Sequence, residues 1–234
     1  MSMLKVPPIH DIARIVRADG STRLDDLVKY YELGPGKFNY NPSRAAGRKL
    51  VAGTVPYSVA VAGCYKTGSP AGWHQNADVV RLIWKWAEHK DCMAFRIAPS
   101  PLKLRPGLAV QVRPDFYYVE SGVARIVWIQ PRLRFNPSKD QINIIASAIS
   151  HAFLNDDFSE AEIEILDFSA PSESNERRLI SYSMSDLTIS EPRLIAVLQS
   201  FVEVFDALVA SGYERPTREK RPQAPDPRQP GLFD

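Results

Sequence analysis

At 234 residues, 44% hydrophobic and a formal net charge of +2, the chain can bury one ordinary core but carries too little charge to announce nucleic acid by itself. Its two cysteines, Cys64 and Cys92, share no metal-ligand spacing with each other or with the four histidines, which argues against a disulfide framework and a zinc site. The first residues lack the apolar run of a signal peptide and no stretch reaches membrane-spanning length, so a cytoplasmic protein with no membrane partner is the default expectation.

Ile9 to Val16 and Leu24 to Leu33 have short helical periodicity on either side of Asp19-Gly20-Ser21, with Ser21 or Thr22 placed to cap the second. They suit a layer packed on a main sheet. Gly34 to Gly53 is rich in Gly, Pro and Asn and interleaves Phe38 and Tyr40 with Lys37, Arg44, Arg48 and Lys49. Such a mixture can stack on bases and contact phosphates, but nothing fixes its facing, and a structured surface loop is the expectation. Val55 to Tyr65 predicts a strand, ended by Gly63 and the following Gly-Ser-Pro-Ala-Gly. Asn76 can cap a helix running to about Lys90, with Val79, Leu82, Ile83, Trp86 and Ala87 on its buried face.

Met93 to Ile97 reads as a first strand. Leu108 to Val119 and Val123 to Phe135, dense in Val, Ile and aromatics and joined by Glu120-Ser121-Gly122, then predict a β-hairpin. Pairing Glu120 with Val123 sets Asp115 opposite Trp128 and Arg113 opposite Gln130, and alternation projects Asp115, Gln130 and Arg132 on one polar side. Asn136-Pro137-Ser138 starts a helix, capped by Asn136 or Ser138, whose core stripe is Ile142, Ile145, Ala146, Ile149 and Phe153.

Glu160 to Phe168 alternates Ala161, Ile163 and Ile165 with Glu160, Glu162 and Glu164, the pattern of a half-exposed strand. Six carboxylates lie between Asp156 and Asp167, but alternation puts three of them toward solvent and speaks against a metal site. Leu179 to Met184 suits one more strand. Ser190 then caps the longest helix, where Leu194, Leu198, Phe201, Phe205 and Leu208 form a stripe that packs on the sheet or on a partner subunit, with Gly212 as the stop. The sum is an α/β fold with a mixed central β-sheet flanked by helices, divided into a helical and loop region (1–75) packed on the core, an α/β core (76–212) and a tail (213–234).

Pro114-Asp115, a hairpin turn, Gln130-Pro131-Arg132 at the end of an apolar strand and a helix beginning near Gln141 resemble the core of the PD-(D/E)XK nuclease superfamily. The resemblance spans roughly Asn76 to Asp167 and implies a restriction-endonuclease-like core in which Asp115 and position 130 would hold Mg²⁺ or Mn²⁺ and position 132 would act on the attacking water. His89 and Gln141 sit where the family's exonuclease branch adds a His and a Gln. Three departures bear on activity. Gln130 replaces a carboxylate and weakens affinity for a hard cation; Arg132 replaces Lys and cannot take a proton; Pro131 lacks an N–H. Impaired or absent metal catalysis is the expectation. The plain alternative is a hairpin whose Asp115 caps a turn or pairs with Arg113 or Arg132, and for His89 a favourable place at a helix C-terminus.

From Ala94 to Lys139 eight basic residues face Asp115 and Glu120, whereas from Leu154 to Glu191 ten acidic residues face Arg177 and Arg178. Arg113, Arg132, Arg134 and Lys139 are therefore the candidate phosphate contacts, with scattered solvated charges as the alternative. From Tyr213 the chain holds five prolines and almost no apolar residue before Leu232, the composition of a disordered linker. It ends Gln229-Pro230-Gly231-Leu232-Phe233-Asp234, which resembles the pentapeptide by which bacterial proteins dock on the DNA sliding clamp, with Gln229, Leu232 and Phe233 as anchors and Pro230 as the departure. The alternative is that this segment folds back on its own domain. The leading expectation is a DNA-associated protein of replication or repair with a catalytically impaired core, recruited by its tail. The alternatives are an active Mg²⁺- or Mn²⁺-dependent DNA nuclease and an interaction module with no DNA role, in which the long helix forms a homo-oligomer.

Overall fold

The computed structural model describes residues 4–214, apart from 18, 35, 37, 89 and 91. Five helices come first: α1 (Ile9–Ile15), α2 (Leu24–Leu33), α3 (Asn41–Val51), α4 (Tyr57–Cys64) and α5 (Trp73–Ala87). Strands β1 (Met93–Phe95), β2 (Ser100–Arg105), β3 (Leu108–Val112), β4 (Phe116–Glu120) and β5 (Val123–Gln130) follow, then α6 (Lys139–Phe153), β6 (Glu162–Asp167), β7 (Ile180–Tyr182) and α7 (Glu191–Ala210).

The main sheet has five strands in the order β1-β4-β5-β6-β7, and β2 and β3 form a separate antiparallel ribbon. Strands β5 and β6 run parallel, connected through α6, while the other neighbours in the main sheet are antiparallel. Alternation sends Ile126, Trp128, Ile163 and Ile165 to a face covered by α1, α6 and α7, and Val127, Ile129 and Leu166 to a face covered by α5 and the end of α3. The central pair is thus oily on both sides, as parallel strands usually are. The α7 stripe Leu194, Leu198, Phe201, Phe205 and Leu208 is buried in this chain's own core, each such side chain contributing about 1.5–3 kcal/mol when fully covered.

Several expectations change. Gly34 to Gly53 is not all loop, because α3 occupies its second half with a buried face of small residues, Ser43 and Gly47, followed by Val51. A Cβ added at Gly47 would fall 2.7 Å from Ile83 Cδ1, so the missing side chain is what lets α3 lie close on α5. The stretch from Val55 to Tyr65 is helix α4, not a strand; it buries Ala60 and Cys64 against Ala77 and Val80 of α5. Asn76 is no cap. It is buried inside α5, where its amide donates to Asn39 O and Gly72 O (3.1 and 2.9 Å) and accepts from Ser43 N (3.0 Å), tying the start of α3 to α5. Strand β6 is not half-exposed, since Glu164 is buried beneath Trp86, Tyr118 and Ser181.

The hairpin has the expected register, Glu120 with Val123 through Phe116 with Val127, and turns on Ser121 and Gly122, whose φ angles are 54° and 81°. Its first strand, however, is broken. Pro114 has no N–H to donate, and beyond it the chain leaves β5 so that β3 can pair with β2. Arg113 is therefore exposed and not opposite Gln130. After β5, Ser138 rather than Asn136 caps α6: Ser138 Oγ accepts from Gln141 N and Gln141 Oε1 accepts from Ser138 N, a reciprocal capping box.

Candidate functional site

The departure of β3 leaves the last residues of β5 paired with β6 but without a strand on their other side, and a buried peptide group must find other partners. Asp115 supplies them. Its own N–H still donates to Val127 O (2.8 Å), and its Oδ2 turns back to accept from Ile129 N (2.7 Å). Arg44, from the first turn of α3, completes the arrangement by donating to Ile129 O (3.0 Å) while its Nε lies 3.4 Å from Asp115 Oδ1. One side-chain pair thus takes the hydrogen bonds of a missing strand. Burial pushes the Asp115 carboxyl above the ordinary carboxylate range, against the pull of Arg44 and the Ile129 N–H.

Gln130 organises the turn that follows. Its Oε1 accepts from Arg132 N (2.9 Å) and its Nε2 donates to Arg132 O and Phe135 O (2.9 and 2.6 Å), bracketing Pro131. Asp167, its parallel neighbour on β6, accepts from Ser169 N and Ser169 Oγ (2.9 and 3.0 Å) and lies at 3.4 Å from Gln130 Nε2. Burial raises its pKa despite these donors.

Arg132 turns away from Gln130 and reaches α1, where its Nη1 donates to Asp11 Oδ1 at 2.9 Å. The same carboxylate receives Arg14 Nη2 at 3.4 Å, lies 3.7 Å from His10 Nε2 and accepts Tyr30 OH at 3.4 Å. Burial would raise the Asp11 carboxyl; His10, Arg132 and Arg14 outweigh it and hold the group below its ordinary value. His10, tilted against Trp128, is driven by burial down to about 4, with Arg44, Arg132 and Arg14 adding to the effect, so its imidazole is neutral at pH 7. Burial beside Asp11 pushes the Tyr30 phenol up to about 12.

The three motif positions therefore share one end of the sheet but not one centre. Asp115 serves β5, Gln130 serves the turn and Arg132 serves α1. A divalent cation does not fit these donors: both Asp115 oxygens face hydrogen-bond donors, and the Gln130 oxygen is taken by the Arg132 amide. Among the described residues no three His, Cys, Asp or Glu side chains gather as a metal site. Of the remaining candidates, Arg134 is exposed and donates to Ser174 O and Asn175 Oδ1, and Lys139 is exposed with its ammonium 5.9 Å from the Tyr182 ring. His89, Gln229, Leu232 and Phe233 lie outside the described residues.

Asp11 and Arg14 carried no signal in the sequence, and Asp167 stood there only as one of six neighbouring carboxylates. Arg44 had a legible signal there, as a cation among aromatics. No family model, no curated protein and no solved structure matches this chain. Among the described residues no helix is long and apolar enough to cross a membrane.

Proposed function

We propose that the protein is a DNA-associated factor of replication or repair in which a restriction-endonuclease-like core binds without cutting. The order of α5, β1, the β4–β5 hairpin, α6 and β6 supports the likeness, since it is the order in which the resembling motifs would have to occur. One observation carries the loss of catalysis. Asp115 and Gln130 stand at the same end of adjacent strands, where a metal would be needed, yet their oxygens are engaged by Ile129, Arg44 and Arg132. The cations Arg113, Arg132, Arg134 and Lys139 then contact phosphates, and the tail delivers the protein to a sliding clamp through Gln229, Leu232 and Phe233.

Incubating the full chain with labelled duplex and single-stranded DNA in Mg²⁺ and in Mn²⁺, and measuring binding and product length together, tests this. Binding without cleavage is expected. Cleavage that disappears in Asp115→Ala would make the protein an active nuclease instead, and absence of any DNA binding at low salt would leave an interaction module. Recruitment is separate: a bacterial sliding clamp should bind the full chain and fail to bind a variant with Gln229, Leu232 and Phe233 changed to Ala, and equal binding by the two refutes the docking role.

A further inference from the structure

Three guanidiniums crowd the end of the sheet where β5 stops. Arg132 and Arg14 meet on Asp11, and Arg44 is pinned by Asp115 and the Ile129 carbonyl. All three lie close enough to His10 to depress its basicity. The charges are layered. The side chains of Asp11 and Asp115 are 8% and 3% exposed, whereas those of Arg14, Arg44 and Arg132 are 34%, 26% and 37% exposed. Two acids lie inside, three cations lie outside them, and the one imidazole between is neutral, so the layer that meets solvent is positive.

A guanidinium carries five N–H donors in a fixed fork. Arg132 spends one nitrogen on Asp11, and so does Arg14; Arg44 spends two nitrogens on Asp115 and Ile129. The buried carboxylates thus hold the forks in place without using up their donors, which is the arrangement that favours an oxyanion bound in a bidentate way and spares it the cost of ordering three long side chains. From Arg14 an open groove of about 580 Å³ continues along Ile15, Val16, Tyr30 and Leu33. Arg17 and Lys29 line it as well, and its one acid, Asp26, is already bound by Arg17 Nε and Nη2 at 3.1 and 2.9 Å.

We infer that Arg14, Arg44 and Arg132 form a receptor for a phosphate oxyanion, with the groove between α1 and α2 carrying the adjoining phosphodiester backbone of a nucleic-acid strand. The polymer in this inference rests on the DNA reading above; the oxyanion receptor does not. It extends the contact surface from Arg132, after β5, to Arg14 of α1 and to Arg44 of α3, the last already a candidate as a cation among aromatics.

Fluorescence anisotropy with labelled single-stranded and duplex DNA measures the full chain beside Arg14→Gln, Arg44→Lys and Arg132→Lys, with Arg81→Gln, at an exposed position of α5, as the control matched in charge to Arg14→Gln. Arg14 has the loosest tie to the fold, so Arg14→Gln keeps the test valid if the other two unfold, which circular dichroism reports. Each receptor variant should weaken binding about five- to tenfold, Arg14→Gln should lower the salt slope by about one, and Arg81→Gln should do neither. A second arm follows Tm in phosphate against chloride at equal ionic strength, where a phosphate-dependent rise should shrink in Arg14→Gln. DNA binding lost equally in all four variants overturns the receptor and leaves the DNA reading standing. A phosphate response lost in Arg14→Gln, with no DNA binding, keeps the receptor and removes the DNA reading. Neither response overturns both.

Discussion

The two ends of strands β5 and β6 solve the same problem in different ways. At the amino end, Glu164 accepts from Tyr118 OH, Ser181 Oγ and Trp86 Nε1 (2.6, 2.6 and 3.1 Å), and Lys90 Nζ donates to Tyr118 OH at 3.2 Å while resting on the Trp86 ring. Arg125 bridges Glu120 and Glu162, each at 2.8 Å. There Lys90 and Arg125 meet Glu120 and Glu162, acids no more buried than the cations they bind. At the carboxyl end the acids lie deeper than the arginines, and donors remain unspent. Burial of a carboxylate is common to both ends, so burial alone marks no site; what differs is that at the carboxyl end the acids bound by cations lie deeper than those cations and leave them toward solvent.

Removing the deepest acid should separate the ends most sharply. Asp115→Ala leaves the Ile129 N–H without an acceptor and Arg44 without its buried counter-ion, and should cost about 3–5 kcal/mol in urea unfolding. Asp115→Asn, which still offers an oxygen to Ile129, should cost visibly less. Gln130→Ala frees three backbone groups of the turn and should cost about 2–3 kcal/mol by the same measurement. A loss below about 0.5 kcal/mol in either alanine variant would mean that water replaces these partners readily and that the end is open.

A smaller effect is pH-dependent. The His10 pKa of about 4 in the folded chain lies below its ordinary 6.5, so the unfolded chain takes up the proton first. Its contribution is therefore complete above about pH 6.5 and falls as pH drops toward 4, with a slope of up to about 1.4 kcal/mol per pH unit. Asp115, shifted upward, acts in the opposite sense above the ordinary carboxylate range, so the difference between wild type and His10→Gln across this window is the clean readout. The smallest change belongs to the amino end, where Arg125→Ala breaks two half-exposed ion pairs and should cost only about 0.5–1 kcal/mol.

Large apolar residues at helical spacing made α1, α2, α5, α6 and α7 legible, and the Ser138 and Ser190 caps stand where polar side chains precede those stripes. Helices α3 and α4 were not legible because their buried faces are Ser, Gly, Ala and Cys, which pack by close approach and leave no stripe to read. The β6 alternation was real, but Glu164 finds three side-chain donors on α5, β4 and β7, a tertiary arrangement that no window of sequence contains. At the site, Pro114 breaks the strand that Leu108 to Val119 suggested, because it lacks the N–H a continuous ladder needs. That Asp115 and Arg44 would fill the break could not be read, since the partners are 71 residues apart.

The notch beside the end of β5 also bears on how these molecules keep to themselves. An unpaired strand segment is a template on which a foreign chain can crystallise into sheet. Here the Ile129 amide and carbonyl are occupied by a carboxylate and a guanidinium, so an incoming backbone would have to evict two charged side chains before forming its first bond. The chain is thereby guarded against templated self-association at the gap that Pro114 leaves in its main sheet.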